Sequence, residues 1–135
     1  MKKLWVIVFL FLFIGWANAA EVTTSRKVLW EQDEATLTVM DHWELFWSDT
    51  AGGPYIKITN IVKPTQPPTG GIYTLDPIEL TVSGQMGKTV TKYFVMQAVM
   101  PEGEVSGWSN EASSAFKIAM GKPFNLIINV YTVPE

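Results

Sequence analysis

The chain has 135 residues, 47% of them hydrophobic, with 10 Lys and Arg against 13 Asp and Glu and a formal net charge of −3. An acidic surface argues against nucleic acid as a partner, because phosphate backbones demand a basic one. The absence of cysteine excludes disulfides, thiolate metal sites, a cysteine nucleophile and a lipid-modified N-terminal cysteine.

The first nineteen residues, MKKLWVIVFLFLFIGWANA, read as a signal peptide. Lys2 and Lys3 form a positive n-region, residues 4–14 are an apolar run, and Ala17-Asn18-Ala19 is a small-x-small cleavage site. The run is short for a membrane span, which needs about 20 apolar residues, so no stable span is expected after cleavage. The mature protein would then be residues 20–135, exported to the periplasm or outside the cell. Removing Lys2 and Lys3 leaves 8 basic and 13 acidic residues, a net charge of −5. That length suits one domain with a real core.

From Lys27 onward no helical period persists. Short runs rich in aromatic and β-branched residues alternate with turn residues, the pattern of an all-β domain. Val28-Leu29-Trp30 is the first expected strand; the segment before it, residues 20–26, is short and weakly apolar. Glu31, Asp33 and Glu34 then cluster in a loop, either solvated or gathering oxygens for calcium, although no Asp-x-Asp-x-Asp-Gly pattern is present. In HWELFWS, residues 42–48, period two sends Trp43, Leu45 and Trp47 one way and Glu44 and Phe46 the other. A Gly-Gly-Pro turn leads to a strand over residues 55–58. The proline-rich stretch 63–71 is expected as a surface loop, since prolines lack ladder donors.

Residues 78–82 form the next strand, with Ile78, Leu80 and Val82 on one face, and residues 83–88 are expected to turn. The longest strand covers residues 91–100. It places Phe94, Met96 and Ala98 on one face, and Tyr93, Val95, Gln97 and Val99 on the other. A fifth clear strand covers residues 111–118. Trp30, Trp43, Leu45, Leu80, Phe94, Met96 and Ala98 are the expected core of a two-sheet sandwich.

These blocks resemble the fibronectin type III family. VLWE at residues 28–31, HWELFWSDTAGGPY at residues 42–55 and KYFVMQAVMPEGEVSGWSNEAS at residues 92–113 carry the resemblance, which spans about residues 27–118. It implies an immunoglobulin-like sandwich and leaves the function open, since such folds host many roles. In the family a small-x-Trp-Ser pattern leads into the last strand. Cytokine-receptor relatives carry a longer Trp-Ser-x-Trp-Ser version, and Val105 stands where its first tryptophan would be. The corner tyrosine expected six residues before Ala98 is replaced by Lys92, which either loses the corner or snorkels from the sheet end.

Beyond the family's normal end, residues 124–133 (FNLIINVYTV) read as one more strand, with Phe124, Leu126, Ile128 and Val130 on one face. Left in water, such side chains would each forgo about 1.5–3 kcal/mol. The segment is therefore expected either to fold back into the opening-strand place or to pair with a neighbouring subunit, making a homo-oligomer by strand exchange.

No enzyme is expected. His42 is the single histidine, and period two sets its neighbour Asp41 on the opposite face. No Gly-x-Ser-x-Gly elbow is present. No cofactor or metal motif occurs. The leading expectation is a non-catalytic module for protein interaction or a structural role. The alternatives are a carbohydrate-binding accessory domain and a self-assembling subunit. Candidate contact residues for a protein or glycan surface are Trp47, Tyr55, Tyr73 and Trp108, with Phe46 beside them. For Trp108 the structural reading is the favoured one, the ring lying on the sheet while Ser106, Ser109 and Asn110 shape the turn.

Overall fold

The computed structural model describes residues 19–123 and 125–127. The expected leader therefore lies outside the described residues, except Ala19, which opens the first strand. No helix among the described residues is long and apolar enough to cross a membrane.

Six strands form two antiparallel sheets: β1 (Ala19–Trp30), β2 (His42–Ser48), β3 (Ile56–Val62), β4 (Tyr73–Gln85), β5 (Thr89–Val99) and β6 (Ala112–Lys117). One sheet pairs β1 with β4, and the other runs β3-β2-β5-β6. Their inner faces share one core. Leu80 and Val82 of β4 meet Trp43 and Leu45 of β2, Met96 and Ala98 of β5 and Phe116 of β6, with Ile118 just beyond it. Trp30 and Phe94 are partly buried and pack against that cluster.

An aromatic triad closes one end of the core. Trp30 meets Trp43 edge-on with ring centroids 5.2 Å apart, Trp43 lies 4.9 Å from Tyr73, and Trp30 stacks on Tyr73 at 5.9 Å. Such geometries exploit the ring quadrupoles beyond simple area burial.

Besides shifted strand ends, the largest being the start of β4 at Tyr73 rather than Ile78, four departures from the sequence expectation stand out. First, β1 begins at Ala19, not Val28. Its polar N-terminal half is held by the β4 ladder, from Ala19 opposite Gln85 to Arg26 opposite Ile78, rather than by deep burial. Second, a short helix, α1 (Glu34–Val39), replaces part of the acidic loop. Asp33 is its N-cap: the Asp33 carboxylate accepts the Thr36 amide at 2.8 Å. These hydrogen bonds hold the Asp33 pKa below its ordinary value. Lys63 finishes the helix, donating to the Leu37 and Met40 carbonyls at 2.8 and 3.0 Å.

Third, β4 continues through Ser83 and Gly84 to Gln85, and only Met86 and Gly87 turn. Gly87 has φ +77°, the left-handed region that suits glycine. Gly84 is needed for a different reason. A Cβ there would sit 2.6 Å from Val90 Cγ2 and 3.1 Å from Ile118 Cγ1. Gly84→Ala is therefore expected to destabilise the domain by about 1–3 kcal/mol through overpacking, read as a lower urea midpoint with unchanged slope.

Fourth, Asn125, Leu126 and Ile127 are exposed and outside any strand. Phe124, Ile128 and Val130, the rest of the expected apolar face, lie outside the described residues.

Candidate functional site

The outward face of the four-stranded sheet carries the main concentration of exposed chemistry. Its rows follow from the register. Val62, His42 and Val99 lie side by side, then Asn60, Glu44 and Gln97, then Lys57, Phe46 and Val95. An isolated bridge from Val99 to Val105 extends the first row.

Residues 105–110, between β5 and β6, form an irregular edge to this sheet. Ser106 N–H donates to the Ala98 carbonyl at 2.9 Å, and Ser106 Oγ accepts the Ala98 N–H at 2.9 Å. Ser109 repeats the device three residues on. Its N–H donates to the Met96 carbonyl at 2.8 Å, and its Oγ accepts the Met96 N–H at 2.9 Å. Three residues of this stretch thus match two of β5, and serine hydroxyls supply the acceptors that a regular strand's carbonyls would offer. Each hydroxyl also donates to the next residue's carbonyl at 2.9 Å, so its proton is satisfied. The turn before the stretch is tied by Gly103 N–H to the Met100 carbonyl at 2.9 Å.

This anchorage presents Trp108. Its ring meets Phe46 edge-on at 4.9 Å and Tyr55 at 5.3 Å, and half of the residue stays exposed. Val95 and Val99 are buried on the same outward side of β5, away from the main core. Tyr55 is fixed by Glu111. The phenol donates to the Glu111 carboxylate, which also accepts the Gly52 amide at 2.8 Å. The hairpin turn after β2 is thereby clipped to the lead-in of β6.

The clip is expected to respond to pH. The Tyr55 hydroxyl, then the Gly52 amide, hold Glu111 below its ordinary value. Glu111 in turn pushes Tyr55 above its ordinary value. A lowered carboxylate contributes above its unfolded pKa and loses that contribution as pH falls through the folded value. A raised phenol contributes below its unfolded pKa and loses it as pH rises through the folded value. The tryptophan emission is therefore expected to stay flat between about pH 5 and 9 and to change below about pH 4 and above about pH 10. Tyr55→Phe should abolish the alkaline change.

Glu44 forms the polar centre of the face. It accepts from Gln97 at 3.0 Å and from Lys57 at 3.3 Å, with His42 Nε2 3.7 Å away. These contacts, Gln97's first, hold its pKa below the ordinary value. His42 Nδ1 bonds Asp41 at 2.7 Å. This corrects the expectation that Asp41 faces away: Asp41 precedes β2, where strand alternation does not yet apply. The partners of His42 among the described residues are thus two carboxylates, Asp41 and Glu44.

The four candidate contact residues thus separate. Trp108 and Tyr55 come together on the outward face. Trp47 packs against the core beside Phe94, and the Lys92 ammonium sits 4.6 Å over its ring while pairing with Asp49. The Lys92 side chain thus lies along the sheet end on Trp47. Tyr73 is 6% exposed and belongs to the buried triad, which removes it from the surface. Sequence reasoning did not identify Glu111 or Glu44 as site residues; their partners are distant in the chain. Among the described residues no three His, Asp or Glu side chains converge as a metal site. Comparison with protein-family models, curated proteins and solved structures found no match for this chain.

Proposed function

We propose that this chain is an exported, non-catalytic interaction module of the fibronectin type III kind, acting at the cell envelope or outside the cell. It works by surface recognition on the outward face of the four-stranded sheet. The observation that carries this reading is Trp108: a half-exposed indole held between Phe46 and Tyr55 on a backbone stretch stitched to β5. A large aromatic presented at low entropic cost is the kind of residue that dominates binding energy. Val62, 82% exposed, and Val105, 50% exposed, add apolar surface around the satisfied Glu44 cluster. Apolar side chains rimming a neutralised polar centre suit a protein partner. The strand order and the Ser-Gly-Trp-Ser lead-in to β6 support the type III assignment.

A glycan ligand is the second reading, favoured by the Tyr55 hydroxyl and Glu111 carboxylate next to an indole on which a sugar ring can lie. Screening the purified protein on a glycan array and against envelope proteins distinguishes the two. In either case Trp108→Ala, with circular dichroism unchanged, is expected to weaken binding about tenfold or more. A ligand found by this screen that binds Trp108→Ala as tightly as the native protein would place recognition elsewhere.

A further inference from the structure

The two sheets are unequal, and the smaller one has an open side. Among the described residues β1 pairs only with β4, so the other edge of β1 presents free backbone donors and acceptors. Two-stranded sheets are marginal without further cover. The inward residues Val22, Val28 and Trp30 are only partly buried, although they pack against the core.

One side chain crosses this open side. Near the middle of β1, Arg26 reaches across to β6, donating to Ser114 Oγ and the Ala115 carbonyl, both at 3.2 Å. Its guanidinium lies 4.6 Å over the Phe116 ring. The register shift between Arg26 and Val28 interrupts the ladder at the same point. Beyond it, a slot of about 580 Å³ runs between the end of β1 and residues 106–112. Val28, Trp30, Phe94, Met96, Ser109 and Ala112 help to line it. Leu29, also on its wall, is 56% exposed. Trp30 Nε1 is a buried donor with no acceptor among the described residues. Val28, Leu29 and Trp30 themselves carry no charge or proline, the usual protection of an edge.

We infer that this slot receives the C-terminal segment of a second copy of this chain, added as a strand beside β1. The chain itself supplies the donor. Leu126 and Ile127 are 81% and 78% exposed, and they open an apolar run, LIINVYTV, that continues to Val133. The place where the chain leaves the domain favours a second copy over folding back. Gly87 N–H bonds the Ile118 carbonyl at 2.8 Å, so residues after Ile118 depart at the β4–β5 turn. Ala19, opposite Gln85, marks that same end; Val28, opposite Leu75, lies toward the other. Ala19 and Val28 are about 30 Å apart along a strand. A segment folding back from Pro123 along β1 would set Leu126, Ile128 and Val130 before the point where Arg26 crosses, short of the slot at Val28–Trp30. A second copy has no such restriction. Donor and slot at opposite ends make the contact head-to-tail, which builds rings or filaments rather than closed two-fold dimers. Added strands gain affinity from the main chain and specificity from alternate side chains. Trp108 also lies on the wall of this slot, and the variants below leave it in place.

The test uses the full chain, its N-terminus read by mass spectrometry, in sedimentation velocity across a hundredfold range of concentration. The native protein is expected to assemble progressively. A donor variant, Leu126→Asp with Ile128→Asp, should stay monomeric, and so should the edge variant Leu29→Lys, whose side chain is already exposed. A labelled peptide of residues 122–135 should bind the donor variant, whose slot is intact, and bind it at least tenfold more weakly when Leu29→Lys is added. Native protein that remains monomeric throughout, assembly that survives both variants, or a peptide that fails to bind would each overturn the proposal.

Discussion

Trp43→Ala is expected to cost about 3–5 kcal/mol, the range for emptying a buried tryptophan site. Trp43 is 1% exposed, contacts both Trp30 and Tyr73, and donates its indole N–H to Gln32 Oε1 at 3.1 Å. The substitution removes the centre of the triad and leaves the Gln32 carbonyl without its donor. Small domains have about 5–15 kcal/mol in total, and this one has no disulfide to limit the unfolded state. The variant should therefore sit close to its unfolding transition at room temperature. Trp43→Phe keeps most of the volume and should lose clearly less. Urea denaturation followed by circular dichroism checks both. A loss below about 1 kcal/mol for the alanine variant would mean that the triad does not hold the end of the sandwich.

The second large effect belongs to the stretch that carries Trp108. Removing both hydroxyls, Ser106→Ala with Ser109→Ala, leaves the Ala98 and Met96 amides without their acceptors. Ala98 is 2% and Met96 8% exposed, so water has little access to replace what is lost. Each unsatisfied buried amide costs about 1–3 kcal/mol. Besides the loss of stability, the Trp108 ring should come away from Phe46 and Tyr55, seen as a red shift of its emission. Ser109→Thr retains the hydroxyl and should restore much of the native behaviour in an otherwise native chain. An unchanged emission spectrum in the double variant would show that the aromatic contacts alone hold the stretch.

Parts of this architecture were open to reading in the sequence. β2 and the inner face of β5 follow from period two, because large apolar residues alternate there with polar or outward ones; Trp43, Leu45, Met96 and Ala98 fall where that period sets them. The first half of β1 was not legible. Its residues are mostly polar, and what fixes them is a ladder to β4, across more than fifty residues of chain. The six-residue α1 is too short for a helical period, and its only local signal is Asp33 placed to cap Thr36. Tyr73 was misplaced because its strand begins earlier than the alternation of Ile78, Leu80 and Val82 reveals. At the site, Trp108 stood out by composition, whereas its contact with Phe46 needs the β2–β5 register. The Tyr55–Glu111 clip joins residues 56 apart. Such pairs are set by topology, which a local pattern does not contain.

The same distinction explains how the outward face is built. Its polar groups answer one another: Glu44 with Gln97, Lys57 and His42, and Glu111 with Tyr55 and Gly52. The apolar side chains Val62, Val105 and Trp108 are left facing solvent. Asp33, Glu44 and Glu111 all have lowered pKa values, so each supports the native state above the ordinary carboxylate range. Each withdraws that support as the medium becomes more acidic. Acid should therefore loosen the α1 cap, the Glu44 cluster and the Tyr55 clip over one pH interval.

Recognition through Trp108 depends most on residues 105–110 being a fixed edge of the sheet, since only a fixed backbone presents the ring ready to bind. Amide hydrogen exchange at Met96 and Ala98 tests this directly, because their N–H groups are bonded by the Ser109 and Ser106 hydroxyls alone. The prediction is protection comparable to that of Leu45 in the middle of β2, lost when both serines become alanine. Rapid exchange at Met96 and Ala98 in the native protein would contradict it.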